Sequence, residues 1–232
     1  MFKFIVIGLS FLLSFSLLAQ DRTQKMVKYT PEFKFEDGFY LSFSMVKNNS
    51  PIPEARVITN IDKSSNDFYS KLLESKSFSF FDGNGVKQSV SSRIWGFSRN
   101  GVLYIKMSEG FHRITIVGGI CHFVASIVSY DTRYNNPYYN RSPYSSRYYD
   151  PYSNNQSRTT RNQEMKQYVM DFKTGKTYEY DVKSVEVLLM EDPELYDEYM
   201  GLKNKKKKQL KFYYIRKFNE GNPIYIPMKN KF

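Results

Sequence analysis

The residues best suited to chemistry lie close together: His112, Cys121 and His122, the chain's two histidines and its single cysteine. A thiolate beside an imidazole makes a nucleophilic site, and two imidazoles are half of a tetrahedral metal site. Their spacing argues against both. With Gly118-Gly119 as a two-residue hairpin loop, Val117 pairs with Ile120, Ile116 with Cys121, Thr115 with His122 and His112 with Ala125. The two histidines then point to opposite faces of the sheet. Cys121 shares a face with His112, but several residues of strand, at roughly 3.3 Å each, separate them. In the apolar run Gly119-Ile-Cys-His-Phe-Val-Ala the thiol is expected to be buried and inert, and no intramolecular disulfide is possible. His122, beside Arg113 and Thr115, is expected to be partly exposed.

Carboxylate pairs occur at Glu36-Asp37, Glu191-Asp192 and Asp197-Glu198, each beside a turn or a helix start. A hydrolase acting on envelope glycans or peptides would need two carboxylates brought together from distant segments. The chain has no phosphate-binding glycine loop, no His-Glu-x-x-His, no Gly-x-Ser-x-Gly and no calcium loop. The expectation is a non-catalytic protein with no cofactor and no metal.

Basic side chains are the stronger theme. Lys and Arg number 34 against 23 Asp and Glu, a formal net charge of +11. That balance favours polyanions. Lysines cluster at Lys203, Lys205, Lys206, Lys207 and Lys208, a solvated helix face or a contact for anionic lipid or polysaccharide. Residues 130–163 hold eight tyrosines and almost no aliphatic side chain, and Pro137, Pro143 and Pro151 interrupt them. Such a stretch cannot build a core and reads as a disordered insertion. Within or beside it, Arg133, Tyr138, Tyr139, Arg141, Tyr144, Arg147, Tyr148 and Tyr149 form the candidate contact set, alternatively a passive low-complexity linker. The partners to expect are an anionic envelope polymer, lipid head groups or another protein. Specific nucleic-acid recognition is not expected, because no recognition motif is present.

The segments that must position these residues begin after residue 20. Lys3, the apolar run Phe4–Leu18 and the small Ala19 read as a secretory signal peptide cut near Gln20 or Asp21. No cysteine lies there to carry a lipid. The expected address is therefore the periplasm or outer surface, with no transmembrane helix after cleavage.

Residues 21–129 open with a turn at Asp37-Gly38 and a short helix over 65–75 capped by Ser65 or Asn66, with Phe68, Leu72 and Leu73 on one face. Period-two strands follow at 78–81, 86–90, 94–98, 102–107, 111–117 and 120–128, divided by Asp82-Gly-Asn-Gly, Asn100-Gly101, Ser108-Glu-Gly and Gly118-Gly119. Asn100-Gly101 puts Trp95, Phe97 and Tyr104 on one face and Ile94, Leu103 and Ile105 on the other. The aliphatic face is core. The aromatic face is a second core under the C-terminal helices or, with Arg99 and Lys106 at its edge, a stacking platform, and core is the commoner fate.

Residues 164–232 complete the same domain. A hairpin turns at Thr174-Gly-Lys, and helices start at the capping Asp181 and at Asp192-Pro193. The second is expected to run on through the lysines, projecting there into solvent, to Asn219-Glu-Gly-Asn-Pro. The resulting fold class is α+β: an antiparallel β-meander of about six to eight strands with C-terminal helices packed on it and a long Tyr-rich insertion.

The leader ending in Leu-Ala-Gln, the stretch Ile94-Trp-Gly-Phe-Ser-Arg-Asn-Gly-Val-Leu-Tyr-Ile, and Asp192-Pro-Glu-Leu-Tyr-Asp-Glu-Tyr with Tyr214-Ile-Arg-Lys-Phe-Asn-Glu-Gly-Asn-Pro resemble uncharacterised secreted proteins of Bacteroidota. The resemblance implies an envelope address in a Gram-negative cell and brings no activity or site residue with it.

Overall fold

The computed structural model describes residues 25–75, 77–91, 94–133 and 158–228. The chain enters through β1 (Lys25–Lys28) and turns at Asp37 into β2 (Gly38–Tyr40). Gly38 has φ +139°, and a Cβ there would lie 2.3 Å from the Ile52 carbonyl oxygen, so glycine alone fits. Helix α1 (Phe43–Lys47) and β3 (Val57–Ile58) follow, then α2 (Phe68–Glu74), β4 (Ser77–Phe81) and β5 (Lys87–Ser91). The remaining strands are β6 (Gly96–Arg99), β7 (Val102–Met107), β8 (Gly110–Ile116), β9 (Ile120–Arg133), β10 (Arg158–Asp171) and β11 (Thr177–Glu179). Helices α3 (Val182–Leu189), α4 (Pro193–Met200) and α5 (Asn204–Gly221) lead to β12 (Tyr225–Met228).

The fold is α+β and antiparallel, as the turn pattern predicts. Strands β6 to β11 pair in chain order, a six-stranded antiparallel meander as expected, but β4 and β5 do not join it. A seven-stranded sheet runs in the order β11-β10-β9-β8-β7-β6-β2, while β3-β4-β5 form a second sheet and β1-β12 a ribbon. The break falls between β5 and β6 because β2 already occupies the outer edge of β6, pairing Phe39 with Phe97.

Asn100 and Gly101 take left-handed backbone, φ 54° and 76°, as the β6–β7 turn requires. Asp37 clamps this loop from outside: its carboxylate accepts from Asn100 N (3.0 Å), Gly101 N (2.9 Å) and Ser98 Oγ (3.2 Å). Gly118 and Gly119 work differently from the expected positive-φ turn. A Cβ at Gly118 would lie 2.5 Å from the Asn219 side chain and one at Gly119 2.9 Å from the Phe218 ring, so these glycines admit the end of α5. The register shifts there too. Ile114 faces Phe123 as expected, but a bulge sets Ile116 against His122.

Side chains alternate between two covered faces. Leu103, Ile105, Ile114, Cys121, Phe123 and Met170 pack with Phe35, Tyr40 and Ile226. Ile120 and Val169, on the opposite face, pack under Leu188, Leu189, Leu195, Ile215 and Phe218 of the C-terminal helices. The aromatic face of β6 and β7 is core, and its cover is α2 rather than those helices. Phe97 stacks between Tyr69 (3.8 Å) and Tyr104 (4.6 Å), each such pair adding roughly 0.5–1.5 kcal/mol beyond burial. Trp95 and Ile94 exchange the faces expected of them: Trp95 meets Phe43 at 5.5 Å and Ile94 joins the Phe39–Phe97 cluster. Regular alternation begins only at Gly96, where the β6–β7 ladder starts.

Two further expectations are corrected. The C-terminal helix is broken at Gly201, which separates α4 from α5. The β9–β10 ladder continues out to Arg133 and Arg158, so residues 130–133 and 158–163 belong to a ribbon rather than to an insertion. Residues 134–157 lie outside the described residues.

Candidate functional site

The thiol and imidazoles come to rest as structural groups. Cys121 is fully buried, its thiol bonds the Gly118 carbonyl (3.4 Å), and burial pushes its pKa up to about 12. His112 places Nε2 3.3 Å from the Met107 carbonyl. It lies on the Cys121 side of the sheet, and His122 lies on the other. His122 is buried, not partly exposed, because Tyr180 (5.3 Å) and Phe212 of α5 (4.7 Å) close over its ring. Its nitrogens meet Thr115 Oγ1 and Gln167 Oε1, each at 3.2 Å, and desolvation lowers its pKa. The imidazole is thus a neutral hydrogen-bonding member of the helix–sheet contact.

Two carboxylates, Asp171 and Glu191, line one cleft of about 750 Å³ where α1, the β10–β11 turn, α5 and β12 converge. Its floor is Phe172, Phe218 and Ile224, and its rim carries Lys47, Asp171, Lys173 and Glu191. Each charged rim group has a local task. Asp171 accepts from Lys173 N (2.8 Å) and Thr174 Oγ1 (2.5 Å), closing the turn. Glu191 pairs with Lys173 Nζ at 2.9 Å, and Lys47 Nζ donates to the Lys173 carbonyl at 3.1 Å. Such a cleft can seat a small molecule with an apolar body. Proton transfer would first have to release one of these carboxylates. Elsewhere Asp192 caps α4 at Leu195 N, and Glu198 binds Lys217 and Tyr214, which hold its carboxyl below the usual range.

The lysine cluster opens α5. Lys203 stands at the N-cap without a side-chain hydrogen bond to the first turn, and that turn contains no acidic residue. Lys203, Lys205, Lys206 and Lys208 are exposed. Lys207 is not: it is 5% exposed, and its ammonium contacts Glu186 of α3 at 2.7 Å and Met200 Sδ at 3.2 Å. The lysine run therefore does not project wholly into solvent, and Lys207 is withdrawn from any surface contact. Helical spacing turns it toward Tyr199, whose hydroxyl bonds its carbonyl. One turn later Lys211 lies 3.8 Å from the Tyr180 ring centroid, and desolvation lowers its pKa. Glu186, the partner that decides the fate of Lys207, carries no sequence signal beyond its place on an amphipathic helix.

The aromatic and arginine set is only partly placed. Arg133 ends β9, while Tyr138, Tyr139, Arg141, Tyr144, Arg147, Tyr148 and Tyr149 lie outside the described residues. The ribbon leading toward them is braced on one side by Glu109 of the β7–β8 turn, which accepts from Tyr130 (2.6 Å) and Arg161 (2.8 Å). Comparison with protein-family models, curated proteins and solved structures gave no match. The candidate surfaces therefore rest on geometry and charge alone. Among the described residues no three His, Cys, Asp or Glu side chains converge as metal ligands, and no helix is long and apolar enough to cross a membrane.

Proposed function

We propose that this protein is an exported, non-catalytic envelope protein that holds an anionic partner on the lysine-rich start of α5. The observation that carries the reading is the exposure of Lys203, Lys205, Lys206 and Lys208 at the end of a helix with no first-turn acid and no capping side chain. The positive end of the helix dipole adds to these charges, so their mutual repulsion falls when phosphate or carboxylate groups arrive. Export rests on the leader at residues 1–20, and the net charge of +11 favours the same partners: lipid head groups, lipopolysaccharide phosphates or acidic glycans. The hydrolase reading finds support in the shared cleft of Asp171 and Glu191, but both are already engaged, and the binding role accounts for more of the molecule.

The test is sedimentation of the mature protein with isolated cell envelopes at low and high salt. Pelleting at low salt that reverses at high salt is expected. Replacing the four exposed lysines by glutamine should weaken it by up to about a thousandfold, at roughly 1 kcal/mol per lysine near an anionic surface. Pelleting that ignores salt, or the four substitutions, removes the proposal.

A further inference from the structure

Strand β10 is longer than the strand that covers it. It pairs with β9 along Arg158–Asp171 without a register shift, but β11 covers only Tyr168–Met170. The cover stops where Tyr180 N donates to the Gln167 carbonyl at 2.9 Å. Backbone groups alternate sides along an antiparallel strand. Gln167 and Asp171 both bond toward β11, so Arg161, Gln163 and Met165 also direct their N–H and C=O away from β9. Among the described residues no strand meets them on that side.

Two of the usual guards of a sheet edge are missing here. β10 contains no proline and no bulge. Two of its charged side chains are engaged within the protomer: Arg161 with Glu109 at 2.8 Å and Lys166 with Glu179 at 3.2 Å. Met165 stands in the middle of the edge, 67% exposed. The opposite side of the ribbon is different, since Ser108 Oγ accepts from Val128 N and Glu109 braces Tyr130.

We propose that β10 pairs antiparallel with β10 of a second copy of this chain, across a two-fold axis at Gln163, joining the two seven-stranded sheets into one. The edge complements itself in that register. Arg161 faces Met165 of the other copy, Asn162 faces Glu164, and Thr160 faces Lys166, so no like charges are opposed. Moving the axis to Glu164 sets that carboxylate against itself. Tyr180 closes the contact at Gln167, which limits the paired segment to Thr160–Lys166. So short a pairing gives a weak, concentration-dependent dimer. The proposal stands independently of the anion-binding reading.

Sedimentation equilibrium of the mature chain over a concentration series tests it, with variants that separate register from folding. Gln163→Pro removes an outward N–H and leaves the bonds to β9 in place, so it should yield a folded monomer. Met165→Arg places arginine opposite Arg161 twice per dimer and should weaken association about tenfold; Met165→Glu should strengthen it by a similar factor. A chain that remains monomeric at its highest soluble concentration overturns the proposal. So does a dimer that persists in folded Gln163→Pro or responds alike to Met165→Arg and Met165→Glu.

Discussion

Lys207 and Glu186 share one ion pair unequally. The lysine side chain is 7% exposed and the glutamate 22%, so only the glutamate has a route to water. Removing Glu186 strands a buried ammonium whose nearest other polar contact is a thioether, whereas removing Lys207 leaves a carboxylate that can rehydrate. Glu186→Ala should therefore cost about 2–3 kcal/mol in urea denaturation, and Lys207→Met, with Met200 and Tyr199 around it, should stay within about 1 kcal/mol of the wild type. Equal losses for the two would refute the asymmetry. Because Lys207 is absent from the surface, Lys207→Met should also pellet with envelopes as the wild type does. A run of lysines in sequence cannot reveal which member is buried. That depends on α3 presenting Glu186 to one position of α5.

Docking of elements onto one another shows the same division between local and non-local information. The end of α5 is fastened to the start of β9 by Asn219, whose Oδ1 accepts from Ile120 N (2.8 Å) and whose Nδ2 donates to the Ile120 carbonyl (2.9 Å). The side chain takes the place of a neighbouring strand at the point where the bulged β8–β9 hairpin leaves the ladder. Asn219→Ala should destabilise the protein by about 2 kcal/mol, two part-buried hydrogen bonds at roughly 1 kcal/mol each, measured as a lower urea midpoint with an unchanged slope. A change below the error of the midpoint would mean that packing of Phe218 on Gly119 alone seats the helix. The hairpins themselves were legible in the sequence, because Asn100-Gly101 and Thr174-Gly175-Lys176 state their own turn chemistry, and so do the caps Asp181 and Asp192. What Gly118-Gly119 is for was not legible, since its reason is the arrival of residues 218 and 219. The joining of β2 to β6, the β1–β12 ribbon and the cleft rimmed by Asp171 and Glu191 were hidden for the same cause: each is assembled from segments far apart in the chain. The lysine cluster was visible as charge, but its division into exposed and buried members was not.

At the scale of the whole molecule, the central strands tie the two faces into one structure. β9 sends Ile120 to the helical side and Cys121 and Phe123 to the other; β10 likewise sends Val169 one way and Tyr168 and Met170 the other. Neither core can lose its order without disturbing a strand that the other core also needs. A chain of this length can unfold in stages, but alternation along shared strands argues for a single transition. The one tryptophan, Trp95, packs on the side away from α3, α4 and α5, while those helices dominate the helical signal. Tryptophan fluorescence and far-ultraviolet circular dichroism therefore report on opposite faces of the sheet. Their urea curves should superimpose in midpoint and slope. If the circular dichroism were lost at lower urea than the fluorescence, the helices would be a layer that detaches from a sheet still standing on its Phe35–Tyr40–Ile226 core. In that event the exposed lysines of α5 would sit on a separable element, and envelope binding should fail at the urea concentration that melts the helices, while Trp95 still reports a folded sheet.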